Sequence, residues 1–207
     1  MKIIGITGRS GSGKSTAAEL ILSNYNACSI NADNIAKELS NDISSEYYAS
    51  IINLFGKDIL LKDNKLDRKK IANIIYNNEN YREKLNNLTF KYVKNEINNR
   101  INYIKENNYD FIILDVPLLF EAKIESICDI ILAIIADEKN LIKRIESRDH
   151  TTQEIAKERI NIQKCDNFLK SHSDFVIYNN GNINDLKFSL KEIFDNIWKN
   201  GFQESLQ

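Results

Sequence analysis

An α/β fold on a five-stranded parallel sheet is the architecture this sequence predicts, and three observations lead there. Short apolar runs rich in β-branched residues recur along the chain. Each run is continuous rather than alternating, as in strands buried on both faces. Helical stretches separate them. The runs are KIIGIT (2–7), ACSI (27–30), FIILD (111–115), DIILAIIA (129–136) and DFVIY (174–178). Their spacing is uneven. Residues 31–110 and 137–173 exceed what single crossovers need and read as largely helical insertions into the core.

Composition bounds the function. A chain of 207 residues can bury a good core, as one domain with insertions or as two small ones. At 43% hydrophobic and 28% charged it has the balance of a soluble globular protein. A net charge of -1 argues against a nucleic-acid-coating role. Cys28, Cys128 and Cys165 are odd in number and far apart, so neither a disulfide framework nor a structural zinc site is expected. A reducing, cytoplasmic setting fits. The apolar start MKIIGIT is broken at once by Gly8 and Arg9, unlike a secretory signal. The longest apolar run, IILAIIA, is too short for a bilayer, so no membrane partner is expected.

The first strand leads into GRSGSGKS (8–15), which places three of the seven glycines within six positions. Glycine clusters are poor core material, so the pattern points to close approach by a ligand. The stretch satisfies G-x-x-x-x-G-K-[ST], with a strand before it and a helix after it through about Asn24. Backbone N–H groups of such a loop cradle phosphates at the positive end of the helix. Gly11, Ser12, Gly13, Lys14, Ser15 and Thr16 are the candidate phosphate-binding residues. Lys14 would reach the β- and γ-phosphates, and the Ser15 hydroxyl would ligate Mg²⁺. The fold class becomes a P-loop NTPase-type three-layer fold, and the ligand a nucleoside triphosphate.

Later elements narrow the chemistry. Asn64-Lys65-Leu66-Asp67 fits the N-K-x-D guanine pattern but lies in a charged turn, LLKDNKLDRKK, before a helix, so it reads as a solvated turn. The second strand ends near Ile30, and Asn31 and Asp33 share a side if the chain stays extended. Asp33 is then either a carboxylate that accepts a hydroxyl proton or holds Mg²⁺ through water, or the N-cap of the helix IAKEL. Spacing leaves the two open.

In LIKRIESRDHTTQEIAKERINIQ (141–163), Arg144 and Arg148 share a helical face, and Thr151 with Glu154 make a capping-box start for a second helix bearing Arg159. This hairpin carries three of only seven arginines. It is either a solvated surface feature or a lid bringing guanidinium groups to phosphate; the P-loop favours the lid. In FIILDVPLLFEAK, Asp115 ends a strand, and Pro117, the one proline, is placed to start a helix.

Taken together these segments resemble the dephospho-coenzyme A kinase family along nearly the whole chain. The resemblance rests on IGITGRSGSGKST, NADNIAKEL, FGKDILLKDNKLDRKKIA, DVPLLFEAK, KRIESRDHTTQEIAKERINIQ and DFVIYNNG. It implies transfer of the ATP γ-phosphate to the ribose 3′-hydroxyl of dephospho-coenzyme A, the last step of coenzyme A biosynthesis, with Mg²⁺ as cofactor. By motif position Asp33 would be the general base, which tips its open reading toward catalysis. Arg148 would face the phosphates with Arg144 on the same helix, and Asn179 would lie near the adenine. Residues 1–35, 106–138 and 171–207 would form the nucleotide-binding core, 36–105 the helical coenzyme A-binding insertion, and 139–170 the lid. Asn31 stands where the family has Asp; Phe90 and Lys91 replace its His-Pro; KCDNFLK and VIYN also depart from its pattern. These differences concern acceptor recognition more than ATP chemistry. The alternatives are a related kinase acting on a nucleoside or other hydroxyl, and an acceptor-free switch or ATPase.

Overall fold

The structure is a computed structural model that describes residues 1–201. The chain divides into two compact units, Met1–Ile30 with Asn108 onward, and Asn31–Asn107.

The first unit holds the sheet. Strands β1 (Lys2–Thr7), β2 (Ala27–Asn31), β3 (Phe111–Asp115), β4 (Ile130–Ile135) and β5 (Phe175–Tyr178) lie in the order β2-β3-β1-β4-β5. The sheet is parallel, as the continuous apolar runs predict. β1 runs between β3 and β4, with Ile4 opposite both Ile113 and Ile130. Alternation sorts the side chains into two layers. Ile4, Ile6, Phe111, Ile113, Leu132, Ile134 and Ile177 pack with helices α1 (Lys14–Asn24) and α9 (Ile183–Gly201). Ala133, Ile135 and Val176 pack instead with Phe168 and Leu169 of α8 (Asp166–Ser171). These layers, with the sheet between them, are the three-layer arrangement. α6 (Glu138–Asp149) and α7 (Gln153–Asn161) form a hairpin with its own apolar seam of Leu141, Ile142, Ile145, Ala156 and Ile160.

The second unit is helical. α2 (Ala32–Asn41), α3 (Glu46–Phe55) and α4 (Arg68–Asn77) pack against α5 (Glu79–Ile104). At 26 residues α5 is about 39 Å long. It buries Val93, Ile97 and Ile101, one face at four-residue spacing. All four helices start on a side-chain cap: Asn31, Ser45, Asp67 and Asn78 each accept from a backbone N–H three residues on.

Three local expectations are corrected. The chain does not stay extended past Asn31. α2 begins at Ala32, and Asn31 rather than Asp33 caps it, accepting from Asn34 N at 2.9 Å. Pro117 starts no regular helix; 117–123 are consecutive turns, ended by Lys123 at φ 52 and a bond from Ile124 N to Leu119 O. Leu119 within this segment is fully buried. At α7 the residue before the helix is Thr152, not Thr151, and it makes no side-chain cap bond; backbone N–H donation, with the nearby Thr152 hydroxyl second to it, holds the Glu154 carboxyl below its ordinary pKa. α9 continues to Gly201; residues 202–207 lie outside the described residues.

Candidate nucleotide-binding site

The loop between β1 and α1 is built around glycines at which any side chain would be strained. Gly13 has φ 101, and a Cβ there would lie 2.3 Å from Asn179 Nδ2. Gly11 has φ 78, and a Cβ would lie 2.7 Å from the Leu141 carbonyl of α6. Both need the left-handed region and both are in close contact with another element. α1 begins without a side-chain cap, in contrast to the helices of the second unit, so side chains leave its first N–H groups open. The Ser12 hydroxyl is fully buried with no hydrogen-bond partner among the described residues. Lys14 is buried too, its Nζ donating to the carbonyls of Gly8 at 2.8 Å and Arg9 at 3.2 Å. Uncapped amides, a buried hydroxyl and an ammonium at one loop make a cradle suited to an anion. Ser15 is exposed in the first turn of α1, and Thr16 is half-buried beside it.

The loop is braced from several sides. Asn179, buried just after β5, donates from Nδ2 to the Ser12 carbonyl at 2.8 Å. Arg144 of α6 donates to the carbonyls of Gly11 at 3.2 Å and Asn179 at 2.9 Å. Gln163 accepts from Ser10 N at 2.7 Å. Arg9 reaches the Ile160 carbonyl at 3.4 Å and the Asp166 carboxylate at 3.7 Å. The hairpin and the end of β5 thus set the shape of the loop through its own carbonyls and amides.

The structure brings Gly11, Ser12, Gly13, Lys14, Ser15, Thr16, Arg144 and Asn179 together. Arg148 stands one turn beyond Arg144 on α6 and makes no hydrogen bond to the loop; its guanidinium is engaged with Asp149. Asp33 lies in the second unit, exposed in the first turn of α2. Asp115, at the C-terminal end of β3, is buried. Sequence reasoning missed Arg9, Asp149 and Asp166 as partners. Nothing in the spacing of Arg9 and Asp166 marks them, because their contact spans a large loop of chain. For Asn64–Asp67 the turn reading stands in the geometry: Asn64 has φ 62, and Asp67 caps α4 by accepting from Lys70 N at 3.0 Å.

A model of the dephospho-CoA kinase family matches residues 2–185. The chain belongs to the dephospho-CoA kinase family. Its curated relatives include a dephospho-CoA kinase of Fusobacterium nucleatum, 38% identical over 89% of this chain and 92% of that protein. Another, from Carboxydothermus hydrogenoformans, is 34% identical over 96% of this chain and 95% of its own length. Among solved structures, dephospho-CoA kinase from Campylobacter jejuni is 26% identical, with TM-score 0.69 over 97% of this chain and 98% of that one. A shikimate kinase from Acinetobacter baumannii, 11% identical with TM-score 0.54 over 98% and 96% of the two chains, shares the fold. Dephospho-CoA kinases transfer phosphate from ATP to dephospho-CoA. No helix among the described residues is long and apolar enough to cross a membrane.

Proposed function

We propose that this chain transfers the γ-phosphoryl group of ATP to the ribose 3′-hydroxyl of dephospho-coenzyme A. The observation that carries the proposal is the braced loop, in which Arg144 and Asn179 bond the carbonyls of Gly11, Ser12 and Asn179 beside the uncapped start of α1 and the buried Lys14. Asp33 takes the proton of the attacking hydroxyl, its oxygen bonds to the γ-phosphorus, and ADP leaves. Lys14 stabilises the charge on the departing β,γ-bridge, and Arg148 meets the transferring group from the hairpin. Asn179 lies beside the adenine as well as the loop.

Magnesium fits the donors present. The Ser15 hydroxyl is exposed at the start of α1, and the Asp115 carboxylate ends the neighbouring strand, opposite Ile6 in register. These are hard oxygen donors. Among the described residues no group of three His, Cys, Asp or Glu side chains is placed to hold an ion, so Ser15 would share the ion with the nucleotide phosphates. Bound there, magnesium neutralises phosphate charge.

In this reading 36–105 receives the coenzyme A portion, 139–170 acts as the lid, and the rest binds nucleotide. The partner is a small molecule, with neither nucleic acid nor membrane involved. Three free thiols suit a cytoplasmic location.

ADP release with magnesium-ATP, measured with and without dephospho-coenzyme A and with a panel of other alcohols, tests the proposal. Release that depends on dephospho-coenzyme A supports it. Preference for another alcohol, or release without any acceptor, rejects it.

A further inference from the structure

At the end of α6, arginines from two helices meet one carboxylate. Arg148 donates from Nε to Asp149 Oδ1 at 2.7 Å and from a terminal nitrogen to Oδ2 at 2.9 Å. Arg159, on α7, donates to the same Oδ2 at 2.5 Å. Asp149 closes α6, and His150 follows at φ 49, ψ 44, the left-handed turn that brings α7 back alongside. The carboxylate is the covered member, its side chain 23% exposed against 61% for Arg148 and 47% for Arg159. Two positive groups on one negative leave a net positive cluster, and the guanidinium nitrogens not engaged with Asp149 remain as donors.

The hairpin does not need this cluster for its packing. Leu141, Ile142, Ile145, Ala156 and Ile160 already join the two helices in a buried seam. Exposed ion pairs add little to stability. A shared carboxylate restricts both partners: long arginine side chains otherwise sample many rotamers, and a planar fork is effective only when aimed.

We propose that Asp149 is a positioning residue for phosphoryl transfer, holding Arg148 and Arg159 as a preassembled fork whose outer N–H groups meet the oxygens of the transferring group. The inference rests on the kinase reading above. The shared carboxylate also partly neutralises both arginines, which weakens their attraction for a bound triphosphate.

Asp149→Asn keeps the shape and removes the charge. Its expected signature is split: kcat falls at least tenfold at saturating substrates, while ATP binds at least twofold tighter in calorimetry and the melting midpoint holds. Asp149→Glu recovers part of kcat. In an Arg148→Ala, Arg159→Ala background, adding Asp149→Asn changes kcat by less than twofold, since nothing remains to orient. ATP affinity that is unchanged or weaker, a kcat within twofold of the parent, or an equal loss without the arginines overturns the proposal. The calorimetric arm needs no acceptor. A parent protein inactive on dephospho-coenzyme A therefore refutes the kinase reading, while the sign of the affinity change still decides the role of Asp149.

Discussion

Asn179 acts on the loop through one side-chain bond, to the Ser12 carbonyl, in a place with little access to water. Asn179→Ala leaves that acceptor unpaired, at a cost of about 1–3 kcal/mol. The expected result is a lower melting midpoint and a raised KM for ATP, read by calorimetry and steady-state kinetics. Gly13→Ala is more severe, because the new Cβ meets Asn179 Nδ2 in a backbone region that alanine avoids; ATP binding should be lost. The thiols differ in a way that labelling can check. Burial, with Asp129, Glu125 and Asp174 nearby, pushes the Cys128 thiol up to about 12, and burial also raises Cys28. Cys165 is exposed, so a neutral thiol reagent should modify it first and leave Cys128 untouched, as peptide mass spectrometry would show. Bonds from Arg148 and the charge of Arg159 lower the Asp149 carboxyl to about 2. A carboxyl lowered on folding stabilises fully above about pH 4 and loses that share as pH falls toward 2. Solvent screens a cluster this exposed, so the share is small and Asp149→Asn should follow the parent closely in acid unfolding across that interval.

Strands and helices were legible where a single face or run decides their burial. β1, β3 and β4 sit inside the sheet and are apolar throughout or nearly so, which is why their runs could be read. β2 and β5 are the edges, have one neighbour each, and expose Ser29 and Tyr178. Their runs are short and less diagnostic. The packing of α9 on the sheet centres on Phe194, whose ring lies 4.6 Å from Tyr25 in a stacked pair and 5.2 Å edge-on from Phe111. Phe194→Ala removes that contact from a fully buried place, and a loss of roughly 3–5 kcal/mol in denaturant unfolding is expected. The turns at 117–123 were not legible. A proline after a strand is compatible with a helix start, and no local residue pattern in 117–123 marks the turns that stand there instead.

For the molecule as a whole, the division into Met1–Ile30 with Asn108 onward and Asn31–Asn107 makes a separable prediction. Magnesium-ATP alone should slow amide hydrogen exchange in 8–16 and near Asn179. Dephospho-coenzyme A alone should slow it within 31–107; protection confined to the first unit would count against the acceptor role of that segment. What the chain's order of residues determined by itself was local: the glycine spacing of 8–13, the lysine and serine that follow, and the apolar runs that must be strands. Such features are set by backbone sterics and burial over a few residues. Tertiary structure decided which long-range partners shape the site. Arg144 on the Gly11 carbonyl, Gln163 on the Ser10 amide and two arginines on Asp149 are pairings between polar groups, and polar residues at the surface carry no periodic signal of whom they will meet.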